Sequence, residues 1–229
     1  MPLLRRQFHM RVQPAAAAPA RTQFGSLIMS NDGPHYIAHW VCKTARRQEM
    51  IDWYGKVFNA ELVHADATIA FLAWDAESHR LALIALPRWV RLLFPFAKMR
   101  RKLYGIDHIA FGFKSLQSLL ATYSRLQEKG VRPVWTINHG PTTSIYYEDP
   151  DGNRLEFQVE NFDTAEETKR YFRSKDFAEN PIGVTFDADY LLARLQAGEA
   201  VTELMRQGAG NPPGTQPAAN MKAINWRTL

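Results

Sequence analysis

Tyr36-Ile-Ala-His-Trp-Val-Cys42 and Ile106-Asp-His-Ile-Ala-Phe-Gly112 read as one element written twice. Each is a short strand-like run with a histidine near its start, and each leads into a helical pattern. After the first, Met50, Tyr54 and Val57 recur on one face of a helix expected to run to about Phe58, with Thr44 as its N-cap. After the second, Ser115 caps a helix carrying Leu119, Tyr123 and Leu126, and Gly130 stops it. At an offset of 69 residues Ile37 falls on Ile106, His39 on His108, Met50 on Leu119, Tyr54 on Tyr123 and Val57 on Leu126. A strand histidine and a helix tyrosine matching in one register points to an internal duplication.

Working outward, strand-like runs at Glu61–His64, Thr68–Trp74 and Arg80–Leu86 complete the first unit. Runs near Val131–Trp135, Thr143–Glu148 and Arg154–Val159 complete the second, the last two joined by the turn Asp149-Pro-Asp-Gly-Asn153. The expected fold is α+β: two βαβββ repeats, residues 35–87 and 105–160, forming one cup-shaped, partly closed mixed β-sheet with the helices outside. Residues 88–104 form the linker, mixing Trp89, Val90, Leu92, Leu93, Phe94, Phe96 and Met99 with six basic residues. That pattern suits a lid, a membrane-surface helix or an interdomain helix packed on the sheet. Residues 1–34, with the run Pro14-Ala-Ala-Ala-Ala-Pro19 and no acidic residue before Asp32, read as a flexible arm, with Met29 as an alternative start. Residues 161–229 read as a helical tail, with helices over Ala165–Ser174 and Tyr190–Gln207 and a loop at Gly208–Gly214.

Bulk properties narrow the function. The chain has 229 residues, 46% hydrophobic and 22% charged, the make-up of an ordinary globular protein. Its net charge of +5 is concentrated at Arg5, Arg6, Arg11 and Arg21 and between Arg88 and Lys102, without a nucleic-acid motif, so no nucleic-acid partner is expected. No uncharged apolar run approaches the roughly 20 residues of a spanning helix, so no membrane partner is expected either. A single cysteine, Cys42, excludes an intramolecular disulfide and a multi-cysteine metal site, and suits a cytoplasmic protein.

The chemistry centres on histidine. His9 and His35 lie in or at the edge of the arm, and His64 reads as a surface strand residue. His39 and His108 are repeat-related and poised to point into one cup. Glu156 joins them by strand parity: with Leu155 and Phe157 packed under the helices, Glu156 faces the cup, where a buried carboxylate needs a cation. Two imidazoles and one carboxylate suit iron(II) with open positions.

With those residues in view, His139-Gly-Pro-Thr-Thr-Ser-Ile-Tyr146-Tyr-Glu-Asp-Pro150-Asp-Gly152-Asn-Arg-Leu-Glu156 resembles the signature of extradiol ring-cleavage dioxygenases of the vicinal oxygen chelate superfamily, of single-domain type. The resemblance covers roughly residues 36–160. It implies metal ligation by His39, His108 and Glu156, with iron(II) as the default and manganese(II) taking the same ligands. It also implies that Tyr146 hydrogen-bonds a substrate oxygen and that His139 helps place the ring. His79, in Ser78-His-Arg-Leu-Ala-Leu83, resembles the family's acid/base beside bound oxygen, although Ser78 stands where a second histidine is common. The implied partners are dioxygen and a catechol-type diol, biaryl diols among the candidates, in aromatic hydrocarbon catabolism, with a homo-oligomer left open. Trp40, Phe111 and the linker aromatics are candidates to shape the pocket. Two alternatives are a glyoxalase- or epimerase-like lyase or isomerase and a metal-free binding or resistance protein. The first usually draws a fourth ligand from the strand that here reads Leu81-Ala-Leu-Ile-Ala-Leu86, which has none. The second has no need of this full set of polar residues.

Overall fold

Two modules with the same strand order, followed by a helical segment, are seen in the computed structural model, which describes residues 36–93 and 105–215. In the first, β1 (Trp40–Thr44) leads to α1 (Arg47–Phe58), then β2 (Glu61–Ala65), β3 (Ile69–Ala73) and β4 (Leu81–Ala85). In the second, β5 (His108–Gly112) leads to α3 (Leu116–Glu128), then β6 (Trp135–Asn138), β7 (Thr142–Glu148) and β8 (Arg154–Glu160). The short α2 (Val90–Leu93) lies between them. Each opening strand pairs in parallel with its module's last, β1 with β4 and β5 with β8, and the other pairs are antiparallel. The orders are β1-β4-β3-β2 and β5-β8-β7-β6, so the duplication is present in the topology. The strands form two mixed sheets, one per module, with no pairing between β1 and β5 among the described residues.

Side-chain packing joins the halves. The helix faces read from the sequence are the buried ones: Met50, Tyr54 and Val57 on α1, and Leu119, Tyr123 and Leu126 on α3, all in one core. Phe58 meets Phe111 and Phe157 of the second module at centroid distances of 5.0 and 5.4 Å. Trp40 lies 5.7 Å from Phe111 and 5.5 Å from Trp74 in the same aromatic cluster. Trp40 and Phe111 therefore serve the core, which corrects their reading as pocket residues. Arg125 of α3 donates to the carbonyls of Lys56 (2.7 Å) and Val57 (2.8 Å), satisfying acceptors that the end of α1 leaves open.

A buried hydroxyl also bridges the modules: Tyr54 Oη donates to Asp149 Oδ2 at 3.2 Å. Asp149 keeps Asp151 N, Asn153 N and Asn153 Nδ2 as further donors, so it organises the β7–β8 turn on its own. Tyr54→Phe is therefore expected to cost only about 1 kcal/mol in urea unfolding, the net worth of one hydrogen bond.

Several boundaries differ from the expectation. β1 starts at Trp40, so His39 lies just ahead of the strand. Thr44 ends β1 instead of capping α1; its Oγ1 accepts from Arg46 N at 2.9 Å in the strand-to-helix turn. Residues 131–134 are not a strand: Val131 N bonds back to Leu126 O at 2.9 Å, and Pro133 has no N–H to give a ladder. Ser115 does cap α3, in a capping box with Ser118, and Gly130 takes φ +74° after it.

Beyond Glu160 come α4 (Ala165–Tyr171), α5 (Lys175–Glu179), α6 (Ala188–Gln196) and α7 (Val201–Leu204). The single helix expected over Tyr190–Gln207 is broken where Gly198 takes φ +84°. This segment also supplies a strand, β9 (Val184–Thr185), which pairs with β6 at the edge of the second sheet. The arm, the linker from Phe94 to Tyr104 and the end of the tail lie outside the described residues. No helix among those described is long and apolar enough to cross a membrane.

Candidate metal centre and catalytic residues

Strand alternation in the second module separates core from site. Leu155, Phe157 and Val159 of β8 enter the core, and Glu156 lies on the other face. Its neighbour across the antiparallel ladder is Tyr146, and across the parallel ladder Ala110. His108 opens β5 on the same face. Only 4% of Glu156 is exposed, so its carboxylate requires polar company.

That company is imidazole and hydroxyl. His108 Nε2 lies 3.0 Å from Glu156 Oε2, and His108 Nδ1 lies 2.9 Å from Asp107 Oδ2. His139 Nε2 is 3.9 Å from Glu156 Oε1 and 3.1 Å from the Tyr146 hydroxyl. The other ring nitrogen, Nδ1, meets the Ile182 carbonyl at 2.5 Å. Trp135 packs on the Tyr146 ring at 5.0 Å, and the Arg154 guanidinium sits 5.9 Å from that ring's centre.

These contacts set the charges. Burial alone would push the Glu156 carboxyl up, but hydrogen bonds from His108, Ser144 and Tyr146 hold it below the ordinary glutamate value. His108 moves up, chiefly through its bond to Glu156, against the effect of burial and with help from Asp107. Burial pushes His139 down, outweighing the Ile182 carbonyl and the Glu156 charge. Burial and the Glu156 charge raise the Tyr146 hydroxyl, which stays a phenol.

Without metal, the His108–Glu156 pair therefore has a defined pH window. A raised histidine stabilises fully below its unfolded pKa near 6.5, and that contribution is lost as pH rises through the folded value. A lowered glutamate stabilises above about 4.3 and loses its contribution as pH falls through the folded value. The pair should contribute most between about pH 4.3 and 6.5. Urea unfolding of chelator-treated protein is expected to show a larger loss from about pH 6 to pH 8.5 in wild type than in His108→Gln.

His39 and His79 stand together in the first module. Their ring centroids are 4.6 Å apart, and Phe71 packs on His79 at 4.7 Å. His79 Nδ1 is 3.1 Å from Ser78 Oγ. Of the expected site residues, His108, His139 and Tyr146 thus gather around Glu156, and His39 and His79 stand side by side. Among the described residues no three His, Cys, Asp or Glu side chains are grouped as a ready metal site. The donor chemistry of the second module nevertheless suits a cation. An imidazole and a buried carboxylate are donors of the kind that divalent transition metals take, and here His108 Nε2 and Glu156 Oε2 are paired with each other at 3.0 Å.

Three further residues join the site through the fold. Ser144 pairs with Gln158 on the face that carries Tyr146 and Glu156, a placement that alternation along β7 implies. Trp135 pairs with Tyr146 across β6 and β7. Ile182 acts through its main-chain carbonyl, which leaves no trace in side-chain patterns.

The sequence has counterparts among known proteins. The sequence matches the Glyoxalase/Bleomycin resistance protein/Dioxygenase superfamily over residues 33–157, and the chain belongs to that family. It is 38% identical over 167 residues to biphenyl-2,3-diol 1,2-dioxygenase 2 of Rhodococcus globerulus, covering 73% of this chain and 85% of the relative. To biphenyl-2,3-diol 1,2-dioxygenase 3 of the same organism it is 35% identical over 168 residues, covering 73% and 86%. Among solved structures it is similar to lactoylglutathione lyase from Agrobacterium tumefaciens, with TM-score 0.41, 14% identity, and coverage of 55% of this chain and 94% of that one.

Proposed function

We propose that this chain is an extradiol dioxygenase that opens a catechol-type ring, of the biaryl class, beside its diol, with iron(II) held by His39, His108 and Glu156. The observation that carries the reading is a buried Glu156 in contact with His108, with His139 and Tyr146 gathered beside it. Identity to two biphenyl-2,3-diol dioxygenases supports the reaction class and makes a diol and dioxygen the proposed partners. Manganese(II) could take the same donors. When bound, the ion would supply open positions for the diol oxygens and dioxygen and would acidify the hydroxyls.

The chain's own residues orient and hold protons. Tyr146 presents a neutral hydroxyl beside Glu156, suited to hydrogen-bond a diol oxygen. His139, half-buried and neutral, stands next to that hydroxyl and can take or return a proton at Nε2. Trp135 supplies an aromatic wall against Tyr146 on which an aryl ring can stack. In this reading His39, in the segment ahead of β1, would be the third ligand, and His79, whose ring centroid lies 4.6 Å from that of His39, would move protons on that side. We further propose that residues 35–160 are the catalytic domain, with the arm and the tail as its extensions.

The test is anaerobic reconstitution with iron(II), followed by 2,3-dihydroxybiphenyl and air. Oxygen uptake with a yellow ring-fission product is expected. Metal binding without oxygen uptake across a panel of catechols would overturn the reading in favour of a lyase or isomerase.

A further inference from the structure

The segment beyond the family match reaches back to the candidate site around His139. β9 adds to the free edge of β6, with Val184 paired to Asn138 and Thr185 to Ile137. Around that pairing, Asn138 Nδ2 donates to Met205 O at 2.8 Å, Gln207 Nε2 donates to Asn138 O at 3.2 Å, and Asn161 Nδ2 donates to Gly140 O at 2.8 Å. The residues on either side of His139 are therefore tied to the tail by main-chain and amide bonds. Gly183 makes this approach achievable. It has φ +113°, and a Cβ there would overlap the Asn138 carbonyl and crowd His139 Cα. Gly140, at φ +100°, accommodates the Tyr171 ring of α4 in the same way.

The consequence falls on the His139 ring. Its Nδ1 lies 2.5 Å from the Ile182 carbonyl, and a carbonyl can only accept, so Nδ1 carries the proton. In the neutral ring Nε2 is then the acceptor, and it is the nitrogen 3.1 Å from the Tyr146 hydroxyl and 3.9 Å from Glu156. We propose that Gly183 and the Ile182 carbonyl are positioning elements for His139, holding its ring in the Nδ1–H tautomer with Nε2 presented to the site. The inference rests on the functional reading above for the importance of His139, but its structural content can be read without turnover. It also assigns the tail a role: a brace that selects one of two ring tautomers.

The experiment uses the full chain with 15N-labelled histidine. Two-bond proton–nitrogen correlations report the tautomer, and His139→Gln assigns the signals. Wild type should show the Nδ1–H form. Gly183→Ala should displace the Ile182 carbonyl and convert the ring to a mixed or Nε2–H form. In the reconstituted enzyme it should lower kcat roughly 10- to 100-fold, the range typical of lost outer-shell support, with KM within about threefold. Asn180→Ala is a gentler second variant: it removes the acceptor of Gly183 N–H, a 3.0 Å bond, without a steric clash, and should act in the same direction. An Nε2–H form in wild type overturns the proposal whatever the variants do. So does a tautomer unchanged in both variants, or a changed tautomer with unchanged kcat. If the Nδ1–H form is present and the variants lose it while no catechol is consumed, the brace stands and the dioxygenase reading fails.

Discussion

Replacing Glu156 with glutamine is expected to abolish iron retention while leaving the fold intact. Glutamine fills the same space and can still bond His108 and Tyr146, so chelator-treated variant and wild type should unfold at similar urea concentrations near pH 8.5, above the window in which the ionised His108–Glu156 pair stabilises wild type. What glutamine lacks is charge. A site left with two imidazole donors has no anionic ligand to balance the cation's charge, which weakens binding. Iron bound after anaerobic reconstitution and desalting should fall from near-stoichiometric to a trace. Turnover of 2,3-dihydroxybiphenyl should drop by at least about 10³-fold, equivalent to roughly 4 kcal/mol of barrier. Iron content equal to wild type would remove Glu156 from the ligand set, and a lesser effect in His39→Ala than in His108→Ala would question His39 specifically. That comparison matters, because His108 contacts Glu156 directly and His39 sits beside His79.

The second large effect is on stability. Phe157 is 2% exposed and packs against Phe58, Phe111, Phe113 and Tyr147 at centroid distances of 5.3 to 5.9 Å. Phe58 belongs to the first module and the other partners to the second, so Phe157 joins the halves. Phe157→Ala is expected to cost about 3–5 kcal/mol in urea unfolding, the range for an aromatic ring removed from a packed core. Phe157→Leu should recover more than half of that, since it returns most of the volume. A loss below about 1 kcal/mol for the alanine variant would mean that the modules do not depend on this contact. The two residues are adjacent in sequence and opposite in role: Glu156 faces the site and Phe157 the core, as alternation along β8 requires.

Much of this arrangement is legible in the amino-acid sequence alone. The duplicated strand–helix pattern comes from periodicity, and periodicity is local. A helix face repeats every three to four residues and a strand face every two, so Met50, Tyr54 and Val57, and likewise Leu119, Tyr123 and Leu126, declare their burial through spacing alone. The same parity argument separates Glu156 from Leu155 and Phe157. Cap chemistry is legible where one side chain meets its own backbone, as at Ser115, and misleading at Thr44, whose hydroxyl serves the turn ahead of the helix.

Tertiary structure decided what depends on contacts between distant segments. It put Trp40 and Phe111 into the inter-module core, a role that a short aromatic run cannot distinguish from pocket lining. It grouped His108, Glu156, His139 and Tyr146 while leaving His39 beside His79, since the repeat offset gives equivalent positions without stating how the two sheets meet. It also brought the Ile182 carbonyl to His139 across a separation of 43 residues. Every residue carries a carbonyl, so no side-chain pattern marks the one that matters; only the folded chain shows which nitrogen it meets. By itself, then, the sequence determined the family, the duplicated scaffold and the polar residues available for chemistry. The folded chain decided which of those residues touch and which ring nitrogen faces the site, because contact is set by the packing of elements far apart along the chain.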